Sequence, residues 1–346
     1  MKEPKTLVIY GDWLLKKLYF RNYSMVCGVH GHERCGAFVG FLTTLKNNIE
    51  FLNPTKIIVV WDGVYDGWFK YDAFPDLKLE KREKWRNNDA AINSLIYTNG
   101  QQEQLSQIWE QRILIQECLE DLCIRQIEEQ YSEAYDVIAH YSQQARLEGE
   151  KVFLYGREFD YFQLISDQVY CIVPNKDVVL TIYNFKNLYG YDLENEFMLR
   201  SFVGSNSSVF RKINSISRNK LLKFFPELKE THIPYKEFIQ LAEENQSKKK
   251  LKIYEYVLGA YEDLKVNSKV LNLSNPYVNK AVERLVDSAI HSQMDLTFRN
   301  IELVKSIIKD RGMAIHINGN IEDFFSSFER IKLKEKQYQD LVNEEA

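Results

Sequence analysis

The sequence predicts an α/β protein with a central, mostly parallel sheet, followed by a helical C-terminal region. Over the first 195 residues, continuous apolar runs of strand length alternate with stretches of helical periodicity. This alternation is typical of a parallel sheet that is covered by helices on both faces. From about Phe197 onward the pattern becomes helical and rich in lysine. We therefore place a domain boundary at residue 195.

Four apolar runs predict the strands of the sheet. They lie at residues 7–10, 57–61, 152–155 and 169–173, and each is short and apolar throughout, as expected for a strand buried on both faces. Helical spacing of apolar residues predicts helices at 37–51, 101–130 and 131–147. The tail at 333–346 is predicted to be a charged helix or a frayed end.

Composition restricts the possible classes of protein. The apolar fraction of 45% is enough to build a core. The formal net charge is −4, so contact with nucleic acid must come from local basic patches. Five cysteines without framework spacing indicate reduced thiols. No apolar run approaches the length of a signal peptide or a membrane span. We therefore expect a cytoplasmic protein with no membrane partner.

Acidic residues occur where the predicted strands end. Asp62 follows the second strand, and Glu158 and Asp160 follow the third. Glu133 and Asp136 lie three residues apart and so share one face of the helix that precedes the third strand. The carboxyl ends of parallel strands form the ligand site of an open α/β sheet, and several carboxylates together suit a divalent cation. Spacing alone leaves open the alternative that these are solvated surface acids and helix caps.

Five blocks, in order along the chain, resemble the 5′-3′ exonuclease and flap endonuclease family. Cys-Gly-Ala-Phe-Val-Gly-Phe-Leu at 35–42, running on to Ile-Ile-Val-Val-Trp-Asp-Gly at 57–63, is similar to the amino-terminal block of the family. Phe-Lys-Tyr-Asp-Ala-Phe-Pro-Asp-Leu-Lys at 69–78, with Lys81 and Arg82, resembles Phe-Arg-His-x-x-Phe-Pro-Glu-Tyr-Lys-x-x-Arg.

The remaining blocks lie later in the chain. Glu-Ala-Tyr-Asp-Val-Ile-Ala at 133–139 resembles Glu-Ala-Asp-Asp-Val-Ile-Ala. Gly-Arg-Glu-Phe-Asp at 156–160, with Gln163 and Leu164, resembles Ser-x-Asp-x-Asp-x-x-x-Gln-Leu. Phe-Arg-Asn at 298–300 resembles a late segment of the phage members. The likeness extends from about residue 6 to about residue 305.

The resemblance implies a particular architecture and a particular set of functional residues. It implies a PIN-like nuclease domain at 1–195 with an arch at about 68–110, a helix-three-turn-helix-like duplex-binding region at 196–305, and a helical extension at 306–346. The implied catalytic and metal-binding residues are Asp62, Glu133, Asp136, Glu158 and Asp160, with Mg²⁺ or Mn²⁺ as the ion. The implied DNA-binding residues are Lys70, Lys78, Lys81, Arg82 and Lys212. Cations among aromatic side chains suit a threaded single strand, although an ordinary solvated helix would carry similar residues.

The sequence departs from the family at several positions of the metal site. Tyr10 stands where the first catalytic aspartate is expected, and Tyr135 stands where the Glu-Ala-Asp-Asp motif has its first aspartate. Ser205 and Ser208 replace two aspartate ligands of the second metal ion, and the glycine-rich turn expected at 212–217 contains no glycine. A two-metal mechanism needs both ions in place. We therefore expect one bound ion or none.

These observations predict a DNA-binding member of the family, virus-encoded, that acts on branched or 5′-ended DNA in replication or repair, with hydrolysis impaired or lost. Two alternatives remain open. The first is an active Mg²⁺-dependent 5′-3′ exonuclease or flap endonuclease that uses the five remaining acids. The second is a non-catalytic structural or scaffold subunit, with replication proteins as its expected partners. Separately, Cys27, His30, His32 and Cys35 are of types that bind zinc, although this short span is also compatible with a plain loop.

Overall fold

A computed structural model describes residues 4–28, 31–65, 70, 99–174, 176–203 and 216–345, with the backbone alone at 99–102, 158 and 338–345. Most of the predicted arch lies outside the described residues. The same holds for the segment that contains Ser205, Ser208 and Lys212.

The N-terminal part alternates strands and helices, as the sequence predicts. Its elements are β1 (Lys5–Tyr10), α1 (Gly11–Arg21), β2 (Val26–Cys27), β3 (Glu33–Arg34), α2 (Gly36–Leu52), β4 (Lys56–Trp61), α3 (Asn99–Asp121), β5 (Arg125–Glu128), α4 (Ala134–Leu147), β6 (Lys151–Tyr155), α5 (Glu158–Tyr161), β7 (Val169–Val173) and β8 (Val178–Leu180). The predicted strands at 7–10, 57–61, 152–155 and 169–173 correspond to β1, β4, β6 and β7.

The later part of the chain is helical, as predicted. Its helices are α6 (Phe185–Tyr189), α7 (Glu196–Val203), α8 (Arg218–Phe224), α9 (Tyr235–Lys248), α10 (Lys252–Gly259), α11 (Tyr261–Val270), α12 (Lys280–His291), α13 (Ile301–Asp310) and α14 (Ile321–Glu345). No helix in the described part of the chain is both long enough and apolar enough to cross a membrane.

The central sheet is mostly parallel. Among the described residues, six strands occur in the order β5-β4-β1-β6-β7-β8, and only the pairing of β7 with β8 is antiparallel. In the register, Tyr10 lies beside Val60 and Ile9 lies beside Tyr155. The carboxyl ends of β1, β4 and β6 are therefore level, and the residues that follow them meet at one edge of the sheet.

One predicted helix is wrong at its C-terminal end. The periodicity predicts helix over 101–130, but α3 ends at Asp121 and β5 begins at Arg125. Cys123 between them has a φ of 57°, in the left-handed region where a helix ends. β5 then pairs in parallel with β4. Ile127 is the one apolar side chain in β5, so this strand carries no apolar run.

Two apolar clusters lie on opposite faces of the sheet. One contains Val8, Tyr10, Ile58 and Val60, and it continues through the helical region into side chains such as Phe225. This cluster crosses the predicted domain boundary at residue 195, which stays a prediction.

The second cluster contains the alternate strand residues Leu7, Ile9, Ile57 and Val59. It also contains Phe324, Phe325, Phe328 and Ile331 of α14. The first turns of α14 therefore pack into the core, and the predicted helical extension at 306–346 stays a prediction. The predicted tail at 333–346 continues the same helix as far as Glu345.

Candidate active site

The candidate site lies at the level carboxyl ends of β1, β4 and β6. Tyr10 is the last residue of β1, and Gly11 begins α1 directly after it. A Cβ atom at Gly11 would lie 2.4 Å from the Trp61 ring, so this position needs glycine for α1 to start against β4. Asp62 follows β4, and the segment that begins at Gly156 follows β6.

Asp62 is bound by two donors of the protein. The Tyr10 hydroxyl donates to Asp62 Oδ2 at 2.6 Å, and the Ala134 N–H donates to Asp62 Oδ1 at 2.9 Å. Burial raises the pKa of Tyr10 well above its ordinary value, and the neighbouring Asp62 charge raises it further. Tyr10 is therefore a neutral donor, and it occupies the side of Asp62 where the family resemblance places a second carboxylate.

Asp160 is bound in a similar way. The Tyr135 hydroxyl donates to Asp160 Oδ2 at 2.5 Å. The Arg200 guanidinium, from α7, forms an ion pair with Asp160 Oδ1, and Arg157 Nε lies 3.8 Å from Asp160 Oδ2. Asp160 is only 3% exposed, so these contacts take place away from water.

Tyrosine rings fill the space between Asp62 and Asp160. The centroids of the Tyr10 and Tyr135 rings lie 4.9 Å apart in an edge-to-face arrangement. The Tyr161 ring lies 5.5 Å from that of Tyr135. A continuous path of contacts thus runs from Asp62 through two rings to Asp160.

Glu133 and Asp136 share one lysine. Lys70 Nζ lies 2.8 Å from Glu133 Oε2 and 2.7 Å from Asp136 Oδ2, and Asp136 Oδ1 accepts a hydrogen bond from the Tyr277 N–H. Burial lowers the pKa of Lys70, but the Asp136 and Glu133 carboxylates outweigh it and hold that pKa above its ordinary value. Burial raises the pKa of Asp136 to about 6, although Lys70 opposes the shift. The lysine is charged, and it neutralises one of the two acids.

Asp12 does not replace the aspartate that is missing at position 10. Its Oδ2 accepts the Asp62 N–H at 2.7 Å, and its Oδ1 lies 3.3 Å from Arg112 Nε. Asp12 therefore lies on the α3 side of β4, in an ion pair with a buried arginine. The sequence gives no sign of this arginine, because α3 is distant from α1 along the chain.

The structure describes some of the predicted site residues but not others. Asp62, Glu133, Asp136 and Asp160 lie on adjoining elements at the carboxyl edge of the sheet, while the side chains of Glu158, Lys78, Lys81, Arg82 and Lys212 lie outside the described part. A catalytic or metal-binding role for the five acids, and a DNA-binding role for Lys78, Lys81, Arg82 and Lys212, therefore stay predictions.

Lys70 lies in a different environment from the one that the sequence predicts. It is predicted to contact DNA, but only 5% of it is exposed. Its ammonium faces Glu133 and Asp136, whose charges offset the cost of burying it. Sequence reasoning also missed Arg200, for which the sequence carries no signal.

The donor set does not fit a divalent ion in this arrangement. The carboxylates of Asp62, Asp136 and Asp160 already accept hydrogen bonds from, or form ion pairs with, hydroxyl, amide, ammonium or guanidinium groups of the protein. Hard cations need several carboxylate or carbonyl oxygens that point at one place. Within the described ranges, no three or more His, Cys, Asp or Glu side chains are grouped so that they could hold a metal ion.

The cysteines of the candidate zinc loop are buried. Cys27 and Cys35 lie at 4% and 0% exposure, on the two sides of the β2–β3 hairpin. Burial raises the pKa of Cys35 to about 12, and it also raises the pKa of Cys27. Zinc removes the protons of the thiols that it binds, so a zinc role for Cys27, His30, His32 and Cys35 stays a prediction. His30 lies outside the described residues.

Comparison with known proteins gives matches along most of the chain. Residues 5–190 match the sequence model of the 5′-3′ exonuclease N-terminal resolvase-like domain. A 5′-3′ exonuclease of Buchnera aphidicola subsp. Schizaphis graminum is 22% identical over 234 residues, which is 66% of this chain and 73% of that protein.

Solved structures show the same fold. The T5 5′-exonuclease with bound zinc ions superposes with a TM-score of 0.58 at 14% identity, over 89% of this chain and 98% of that one. The bacteriophage T5 flap endonuclease, in a pseudo-enzyme complex with DNA product and metal ions, gives a TM-score of 0.57 at 16% identity, over 89% and 99% of the two chains. The predicted fold, a PIN-like α/β domain with a helical C-terminal region, is confirmed.

Proposed function

This chain belongs to the 5′-3′ exonuclease family, and we propose that it is a DNA-binding member in which metal-dependent phosphodiester hydrolysis is impaired or lost. The proposed substrate is branched or 5′-ended DNA, in replication or repair, and the proposed origin is viral. The observation that carries the proposal is the pairing of Asp62 with Tyr10 and of Asp160 with Tyr135 and Arg200.

The chemistry of these pairs supports impaired hydrolysis. In a metal-dependent nuclease, the ions lower the pKa of a bound water and neutralise charge on the phosphate. Carboxylates that accept from tyrosine hydroxyls or pair with arginine already have part of their negative charge balanced, and they are therefore weaker ligands for a metal ion. A tyrosine with a raised pKa remains neutral, so it cannot replace the negative charge of an aspartate.

DNA binding does not depend on the same groups. Phosphate contacts come from lysine, arginine and backbone N–H groups, and Lys78 and Arg82 match the family motif at positions that need no metal ion. The T5 pseudo-enzyme, in which one aspartate is replaced by lysine, forms a complex with DNA. By analogy, we propose that binding persists in this chain when hydrolysis is weak or absent.

A nuclease assay on a 5′-flap substrate, with Mg²⁺ and separately with Mn²⁺, tests the proposal. We expect no cleavage, or cleavage far below that of the T5 enzyme assayed in parallel. Flap cleavage at a rate comparable to the T5 enzyme would show instead that the five acids hold their ions in solution, and the protein would then be an active nuclease.

Binding is tested on the same substrate by fluorescence anisotropy in EDTA over a series of salt concentrations. We expect the double variant Lys78→Ala, Arg82→Ala to bind more weakly, with a salt slope that falls by about one unit for each phosphate group that is no longer neutralised. The matched control removes two charges at the exposed lysines Lys186 and Lys309 and should leave the slope unchanged. If the parent does not bind DNA at any salt concentration, the protein is a scaffold rather than a DNA-binding protein.

A further inference from the structure

We propose that Lys70 is a built-in cation that occupies the place of a divalent ion between Glu133 and Asp136. In this role, the lysine makes the folded protein independent of metal. The inference rests on the proposed loss of hydrolysis, because a site filled by a lysine is not available to a catalytic ion.

The geometry of the ammonium supports this role. Lys70 Nζ contacts one oxygen from each of two acids, at 2.8 Å and 2.7 Å, so it bridges Glu133 and Asp136 as an ion would. Its side chain is 6% exposed, and those of Glu133 and Asp136 are 12% and 2% exposed. Two acids this close and this buried need a positive charge between them, since each disfavours ionisation of the other.

The surroundings of the two acids strengthen the argument. Asp136 Oδ1 accepts from the Tyr277 N–H at 3.1 Å, which leaves Oδ2 for the ammonium. Ala134, between the two acids, donates its N–H to Asp62. The first turn of α4 is thus fixed by donors on several sides, and Lys70 supplies the positive charge among them. Removing that charge while keeping the side-chain volume should convert the pair of acids into a site for a hard cation.

Lys70→Met tests the proposal, because methionine keeps a long unbranched side chain and removes the charge. The measurements are Mn²⁺ uptake, followed by the electron paramagnetic resonance signal of free Mn²⁺, and thermal melts in EDTA and in Mn²⁺. We expect the parent to melt at the same temperature in both media. We expect Lys70→Met to bind Mn²⁺ at least about tenfold more tightly than the parent, and to melt lower in EDTA with recovery in Mn²⁺.

Lys56→Met is the matched control. Lys56 is also a buried lysine in an ion pair, 2.7 Å from Glu150 with side chains 12% and 8% exposed, but it contacts one acid rather than two. We expect this variant to lose stability without a gain in Mn²⁺ affinity. Adding Asp136→Asn to Lys70→Met should abolish the gain.

The parent gives a second test that does not depend on how well Lys70→Met folds. If the parent takes up Mn²⁺ at a site that Asp136→Asn removes, the ammonium is not resident and the proposal is wrong. It is equally wrong if Lys70→Met folds and its Mn²⁺ affinity equals that of the parent.

The two proposals fail separately. Flap cleavage by the parent, together with new Mn²⁺ uptake by Lys70→Met, would overturn the proposed loss of hydrolysis and support the lysine's role. Absence of cleavage, together with parental uptake that depends on Asp136, would do the reverse.

Discussion

Replacing Tyr10 by phenylalanine removes one oxygen atom at the centre of the candidate site and keeps the ring. The Tyr10 hydroxyl donates to Asp62 Oδ2 at 2.6 Å, and Tyr10 is 7% exposed, so water cannot easily take the place of the hydroxyl. Leaving a charged acceptor without its partner costs about 1–3 kcal/mol when it is buried. Because Asp62 is only partly buried, we expect a loss of about 1–2 kcal/mol in the free energy of unfolding.

Urea unfolding of a double-mutant cycle measures this interaction. The variants are Tyr10→Phe, Asp62→Asn and the combination of both. A direct hydrogen bond makes the combined loss smaller than the sum of the single losses. In thermal melts, the Tyr10→Phe loss should appear as a fall in Tm of roughly 2–5 °C. Tyr183→Phe, at a tyrosine that is 85% exposed, is the control and should leave Tm unchanged.

The same cycle, run in EDTA and in Mg²⁺, distinguishes a protein donor from a metal ion as the partner of Asp62. If the Tyr10 hydroxyl is the partner of Asp62, the Tyr10→Phe loss is the same in both media. Additive losses would show that the hydroxyl and Asp62 do not interact. A Tyr10→Phe variant that Mg²⁺ restores to the parental Tm would show that Asp62 is a metal ligand after all.

Three further changes have defined outcomes. Arg200→Met leaves Asp160, which is 3% exposed, without its guanidinium partner, and should lower the free energy of unfolding by about 3–5 kcal/mol in urea titration. Arg200→Lys keeps the positive charge and should lose less stability. Equal losses in the two variants would mean that Arg200 does not act through its charge. Gly11→Ala places a Cβ atom 2.4 Å from the Trp61 ring, so overpacking should lower the free energy of unfolding by about 1–3 kcal/mol. A Gly11→Ala variant as stable as the parent would contradict this close approach of α1 to Trp61. Burial raises the pKa of Glu196 to about 7, so the folded state binds this proton more tightly than the unfolded state does. The stability that the proton contributes is lost as the pH rises from the ordinary pKa of a glutamate through about 7, and the free energy of unfolding of Glu196→Gln should therefore rise by about 1–3 kcal/mol relative to the parent between pH ~5 and pH ~8. A difference between the two proteins that does not change with pH would refute this prediction.

The strands of the sheet could be predicted where both of their faces are buried. β1, β4, β6 and β7 are apolar almost throughout, because parallel strands covered by helices have no solvent face. β5 lies at the edge of the sheet, and of its residues only Ile127 has a buried apolar side chain. Its position is determined by pairing with β4, a tertiary contact that leaves no mark on the local sequence. The sequence therefore indicated helix there.

The location of the candidate site could be predicted from the sequence, but the hydrogen bonds and ion pairs of its acids could not. The acids could be placed because they follow strands or lie on a helix face at fixed spacing. The substitutions at Tyr10 and Tyr135 are also visible in the sequence. Their effect is not visible, since it depends on hydroxyls that reach Asp62 and Asp160 across the sheet edge. The lysine between Glu133 and Asp136 comes from a position 63 residues before Glu133, and sequence spacing gives no information about such a contact.

The charges in the site suggest why tyrosines at positions 10 and 135 occur in the same protein as the Lys70 and Arg200 ion pairs. Removing carboxylates at positions 10 and 135 lowers the negative charge that a divalent ion would have balanced. One ammonium on Glu133 and Asp136, and one guanidinium on Asp160, then suffice for acids that are mostly buried. Each cation would repel a metal ion at the same place, and each tyrosine hydroxyl donates to a carboxylate oxygen for which the ion would compete. It follows that Tyr10→Asp alone adds a buried negative charge while the Lys70 ammonium and the Arg200 guanidinium keep their places. Lys70→Met alone frees only Glu133 and Asp136. Recovery of a site that also includes Asp62 and Asp160 requires that carboxylates are added in the same protein.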